Sequence, residues 1–152
     1  MTRTRRRRPR RGPRRLRTFV HGYLARKNLN SVLATASEVA STRAGDCTEH
    51  AVLLAALLRA DGIPSRLVTG LIYVDDFVGE SKLFGYHMWT QAFLGKRWVD
   101  LDATLERRFD AAHIAFTTTS LNDEGSALLE MAKIIPLLGR LEVEIVKAEP
   151  AP

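Results

Sequence analysis

The chain of 152 residues carries 23 Lys+Arg against 17 Asp+Glu, a formal net charge of +6. Ten of those basic residues are arginines between Arg3 and Arg17, and from Thr18 onward 13 basic residues face 17 acidic ones, a net charge of −4. The charge therefore excludes a basic nucleic-acid-binding body, and Cys47, the sole cysteine, excludes an internal disulfide framework and a multi-cysteine zinc site. No stretch approaches the roughly 18 uncharged apolar residues of a membrane span, so no membrane partner is expected.

Residues 1–17 are almost free of apolar side chains and repel themselves, which predicts a disordered leader. Its arginines suit a nucleic-acid or anionic-surface arm, the one part of the chain where such a partner fits. The same Arg/Pro/Gly composition is what GC-rich DNA encodes upstream of a start codon, and the expectation is a solvated segment outside the fold. A basic start without the following apolar run of about 7–15 residues is not an export signal, so a cytoplasmic location is expected. One domain is expected over 18–149, since a domain usually spans about 100–200 residues.

Val20, Leu24, Leu29, Val32, Leu33 and Val39 recur at loosely helical spacing, broken near Asn28–Asn30. Ala44-Gly45-Asp46 reads as a turn. After it Val52, Leu53, Leu54, Leu57 and Leu58 lie among alanines, predicting a buried helix that Asp61-Gly62 stops and Ile63-Pro64 leaves in extended conformation. Strands are predicted at Arg66–Val74, Tyr86–Leu94 and Arg97–Leu101, the last two joined by a two-residue turn at Gly95-Lys96. Beyond Thr104 the pattern weakens. A helix around Gly125–Leu138, interrupted by Pro136, and a last strand Arg140–Val146 complete an α+β chain, with the helix packed on an antiparallel sheet.

Cys47 opens the alanine/leucine helix, where unpaired amides and the positive end of the macrodipole favour thiolate and could stabilise an oxyanion. Alternation puts His87 and Trp89 on one strand face, and Asp100 and Asp102 on one face of the neighbouring strand. A cysteine, a histidine to take its proton and a carboxylate to orient that histidine make an activated nucleophile. On these residues alone, Asp100 and Asp102 compete equally for the carboxylate role. His50, at i+3 from Cys47, lies within reach of the thiol but reads as a helix-surface or packing residue. His21 and His113 have no metal-ligand spacing with another histidine and read as structural or exposed; no metal or cofactor is expected. Trp89 beside His87 could shield the site from water. Arg59, Asp61 and Arg66 read as fold residues around the helix exit. No phosphate loop, dinucleotide turn, serine elbow or His-Glu-x-x-His zinc helix is present.

Gly45-Asp46-Cys47-Thr48-Glu49-His50-Ala51, Arg59-Ala60-Asp61-Gly62-Ile63-Pro64-Ser65-Arg66, Val68-Thr69-Gly70, His87-Met88-Trp89 and Trp98-Val99-Asp100-Leu101-Asp102-Ala103-Thr104 follow one another in order. This string resembles the core of the transglutaminase-like superfamily, in particular its bacterial branch of cysteine-protease-like proteins, over about Ser37–Thr104. The resemblance implies a papain-like α+β fold. It also implies Cys47 as nucleophile, His87 as general base and acid, and Asp102 as the residue orienting His87; Trp89, Asp100 and His50 are supporting candidates on their positions alone. Asp102 is preferred over Asp100 because it matches the family's Asp before Xaa-Thr, although Ala103 stands where the family commonly has Pro. The implied reaction is acyl transfer on a peptide or protein amide through a thioacyl intermediate, with hydrolysis favoured over transfer to an amine. The alternatives are a truncated or inactive binding module of the same fold, and an arylamine N-acetyltransferase or peptide-glycanase type of enzyme.

Overall fold

The computed structural model describes residues 12–24, 34–77, 79–121, 133, 135–137, 139–147 and 149. Helices α1 (Pro13–Tyr23), α2 (Ala36–Thr42) and α3 (Cys47–Ala60) precede strands β1 (Ser65–Phe77), β2 (Glu80–Leu94), β3 (Arg97–Leu101) and β4 (His113–Thr119). The strands form one antiparallel sheet in the order β3-β2-β1-β4, and the fold is α+β, with the cysteine-bearing helix packed on the sheet.

α1 corrects the expected disordered leader over Pro13–Arg17, while residues 1–11 lie outside the described residues. Pro13 presets the first-turn dihedral after Gly12 at φ 77°, and Leu16, Val20 and Leu24 at i, i+4 and i+8 make one apolar stripe. All three are buried against Leu54, Leu58, Leu101 and Ala103. Full burial of a leucine or valine stabilises by roughly 1.5–3 kcal/mol, enough to order an arginine-bearing helix whose Arg14 and Arg15 stay exposed. The expected break near Asn28–Asn30 lies outside the described residues.

α3 starts and stops on local signals. The Asp46 carboxylate accepts from the Thr48 and Glu49 amides, and the Glu49 carboxylate reaches back to the Asp46 amide at 3.0 Å, a complete capping box. Gly62 at φ 76° ends the helix, its amide donating to Arg59 and that of Ile63 to Leu58. Arg59 then ties the exit to the sheet by donating to the carbonyls of Ser65 (2.9 Å) and Ser120 (2.6 Å).

Tyr86, Met88, Thr90 and Ala92 alternate onto the sheet face that α3 covers. Met88 packs with Ala51, Ala55 and Leu67, and Thr90 Oγ1 donates to the Ala51 carbonyl at 2.9 Å. Leu94 and Arg97 pair across the two-residue turn at Gly95-Lys96, as the sequence predicts. At Gly70 the register against β4 shifts by one residue, and an added Cβ there would lie 2.0 Å from the Ile114 carbonyl oxygen.

The C-terminal expectations are corrected in part. Leu141–Lys147 carries no strand structure, and its alternating Leu141, Val143 and Ile145 remain exposed. The edge beside β1 is held instead by β4, whose Ile114, Phe116 and three threonines are β-favouring residues in a region with no predicted strand. Of the expected helix around 125–138, residues 125–132, 134 and 138 lie outside the described residues, and Ile135–Leu137 is a single 3-10 turn. Among the described residues no helix is long and apolar enough to cross a membrane.

Candidate active site

α3 and β2 meet at a sheet edge, where Cys47 packs against Met88. The β3 ladder ends at the pair Thr90–Leu101, so β2 runs on past its neighbour through Met88 and His87. Cys47, in the first turn of α3, packs against the Met88 cluster and accepts from the Met88 amide. Its thiol pKa is pushed up to about 11, first by burial and then by the negative charge of Asp46. This corrects the expectation of a resting thiolate: removal from water outweighs the helix terminus, and the sulfur is held as a thiol at neutral pH.

His87 and Trp89 project from the opposite sheet face and stack with ring centroids 6.2 Å apart. Where β3 ends, the chain turns and delivers Asp102 to His87. The His87 Nε2 to Asp102 Oδ2 distance is 2.8 Å, with both side chains buried. Asp102 Oδ1 accepts from the Thr104 amide at 2.8 Å, which fixes the carboxylate plane. Burial alone would raise this carboxyl's pKa, but the bonds from His113, His87 and the Thr104 amide hold it well below the usual carboxylate range. An ionised Asp102 accepts, so His87 carries its proton on Nε2 and presents the Nδ1 lone pair.

Asp100, the competing carboxylate, is taken up elsewhere: its Oδ1 accepts from Trp89 Nε1 at 2.8 Å and from Gln91 Nε2 at 2.7 Å. It anchors the tryptophan beside His87. His50 is buried rather than on the helix surface, and its Nδ1–H donates to the Asp46 carbonyl at 2.6 Å, bracing the helix start. Burial lowers its pKa, with the Asp46 carbonyl bond opposing.

Of the expectation that His113 is structural or exposed, the exposed half is corrected. Its side chain is fully shielded, and its Nε2 lies 3.1 Å from Asp102 Oδ2, the same oxygen that His87 uses. Nδ1 lies 3.2 Å from the Asp110 carbonyl. Both neighbours are acceptors, so both bonds form at once only when the ring carries two protons. Phe109 stacks on His113 at 4.0 Å and tilts against Trp89 at 5.7 Å, closing an aromatic cover over the carboxylate. Sequence reading missed His113 because its strand was not recognised; the β-branched run after it was the available signal.

His87, Asp102 and His113 also place three ligand atoms within 4.8 Å of one another, a two-histidine, one-carboxylate set that could hold a metal ion. The atoms are already joined at 2.8 and 3.1 Å as hydrogen bonds. A metal would displace the very proton that orients His87, so the two uses exclude each other. Tyr86 was also passed over. Its hydroxyl is buried on the α3 side beside Thr69, and burial, only partly opposed by Thr69, pushes its pKa up to about 12.

With this geometry in place, the sequence comparison decides the family: residues 3–103 match the transglutaminase-like superfamily. The chain belongs to that superfamily. Among solved structures it is similar to a candidate cysteine protease from Cytophaga hutchinsonii, with a TM-score of 0.59 and 23% identity. That likeness covers 71% of this chain and 35% of the other, so the chain spans about a third of its neighbour's length. No curated protein matches the chain.

Proposed function

We propose that this transglutaminase-like chain catalyses cysteine-dependent acyl transfer on peptide or protein amides, with Cys47 as nucleophile, His87 as base and acid, and Asp102 orienting His87. The observation that carries the reading is the buried 2.8 Å bond from His87 Nε2 to Asp102 Oδ2, which leaves Nδ1 as the basic nitrogen. A thiol pushed up to about 11 needs such a partner, because at neutral pH its own ionisation supplies almost no nucleophile.

In the proposed reaction His87 Nδ1 takes the thiol proton as sulfur attacks the amide carbonyl carbon. Asp46 occupies the Thr48 and Glu49 amides, so the Cys47 amide is assigned to the developing oxyanion. Collapse breaks the C–N bond, His87 returns its proton to the leaving amine, and a thioester remains on Cys47. Water then enters, gives a proton to His87 and releases the acid, regenerating the thiol. Hydrolysis is favoured over transfer to a second amine by the likeness to a candidate cysteine protease.

The test is alkylation of Cys47 by iodoacetamide as a function of pH. The wild type is expected to react near neutral pH well above a free thiol peptide, and His87→Ala only in alkali, as a thiol with pKa about 11 would. Equal, slow reaction of both proteins would defeat the enzyme reading. It would favour the second one, a binding module of the same fold, to which the raised thiol pKa points.

A further inference from the structure

The backbone that carries Asp102 is held from outside the site. Its carbonyls converge on α1: Arg17 Nε donates to the Asp102 carbonyl at 2.6 Å. Arg17 Nη2 donates to the carbonyls of Leu105, Glu106 (3.1 Å) and Arg107 (2.9 Å). One turn later, His21 Nδ1–H donates to the Ala103 carbonyl at 3.0 Å. These residues stand at i and i+4, so they share one helix face. The helix itself is pinned by the buried Leu16, Val20 and Leu24.

We propose that Arg17 and His21 are positioning residues for Asp102, and that α1 sets where its carboxylate meets His87. The proposal rests on the role given to Asp102 above. The two peptide groups that follow the Asp102 Cα are held by α1 through their carbonyls, while Asp102 Oδ1 holds the Thr104 amide from the other side. Residues 102–112 form no helix or strand, so few other backbone bonds fix this stretch. A guanidinium suits the task because its planar fork donates in several fixed directions, whereas a lysine offers one point of charge. The last arginine of the basic segment therefore serves the site, and the +6 of the whole chain conceals one charge spent on backbone carbonyls.

The test uses the full chain with Arg17→Lys and Arg17→Ala, and two readouts. One is the pH profile of Cys47 alkylation. The other is the downfield proton resonance of the His87–Asp102 bond. Folded Arg17→Lys is expected to alkylate about 10-fold or more slowly at neutral pH, since small misplacements of a catalytic group can cost up to ~100-fold. Its pH inflection should move and the resonance should broaden. Folded variants with the wild-type profile and resonance would overturn the proposal. So would loss of folding in both variants, which would assign Arg17 to the fold alone. A wild type that alkylates no faster than a free thiol would overturn the enzyme reading instead, and the resonance would still decide whether Arg17 places Asp102.

Discussion

The two halves of the site are held by different kinds of contact. At the Cys47 end the caps on the helix start are local: Asp46 with Thr48 and Glu49, and Asp46 with His50, all within four residues. At the Asp102 end the partners lie far along the chain, with His87 15 residues away, His113 11, and Arg17 85. A local restraint survives wherever the helix survives, whereas the second set exists only once the sheet and α1 have assembled. Cys47 is thus capped by local structure, and the His87–Asp102 pair is set by tertiary structure.

His87→Ala breaks the long-range half most directly. Alkylation or turnover at neutral pH is expected to fall by ~10²–10⁴-fold, as loss of a positioned general base does, with the melting temperature little changed. His113→Phe keeps the aromatic cover but removes a donor to Asp102, at an expected cost of about 1.5–3 kcal/mol for a hydrogen bond to a charged group. The sign of its pH effect follows from the lowered Asp102 pKa. That stability is present above the unfolded-state value of 3.8 and is lost as pH falls through the folded one. Without His113 the folded value rises, so acid unfolding monitored by circular dichroism should begin at higher pH.

Asp46 probes the local half. Asp46→Ala should destabilise by about 1 kcal/mol through loss of the cap, whereas Asp46→Asn keeps the cap and should cost only a few tenths. Both remove the charge that adds to the rise in the Cys47 pKa, so alkylation in the His87→Ala background should show that pKa below about 11 in each. A thiol unchanged in Asp46→Asn would show that burial alone sets it. Glu49→Gln should give the smallest effect. Burial first, with Asp46 beside it, raises the Glu49 pKa from 4.5 to about 7. The folded state therefore binds the extra proton between those values, and stability falls as pH rises through that window. Glutamine should flatten this slope in pH-dependent denaturant midpoints.

The same division explains what could be read from sequence. Asp46 to Gly62 announces its own start, apolar content and stop, and the Gly95-Lys96 turn fixes the register that sets Asp100 against Gln91. Choosing Asp102 over Asp100 needed a family likeness, because the difference lies in what Trp89 and Gln91 take up across the strand. Arg17 was hidden by its neighbours: ten arginines in a row of charge look alike until a buried Leu16 shows which side faces the core. His113 was hidden by distance, and the alternation of Leu141, Val143 and Ile145 misled because a strand pattern says nothing about whether an edge is free.

β1 supplies none of Cys47, His87, Asp102 and His113, yet it measures the space between the two histidines. Gly70 pairs with His87 on one side, and Ile72 pairs with His113 on the other, so the two rings rise from strands that are not neighbours. Two strand spacings separate such backbones by about 9.6 Å, at roughly 4.8 Å each. The ring centroids nevertheless stand 5.7 Å apart, because both rings reach the same Asp102 oxygen. β4 can lie this close to β1 only because Gly70 carries no Cβ, which would meet the Ile114 carbonyl oxygen at 2.0 Å.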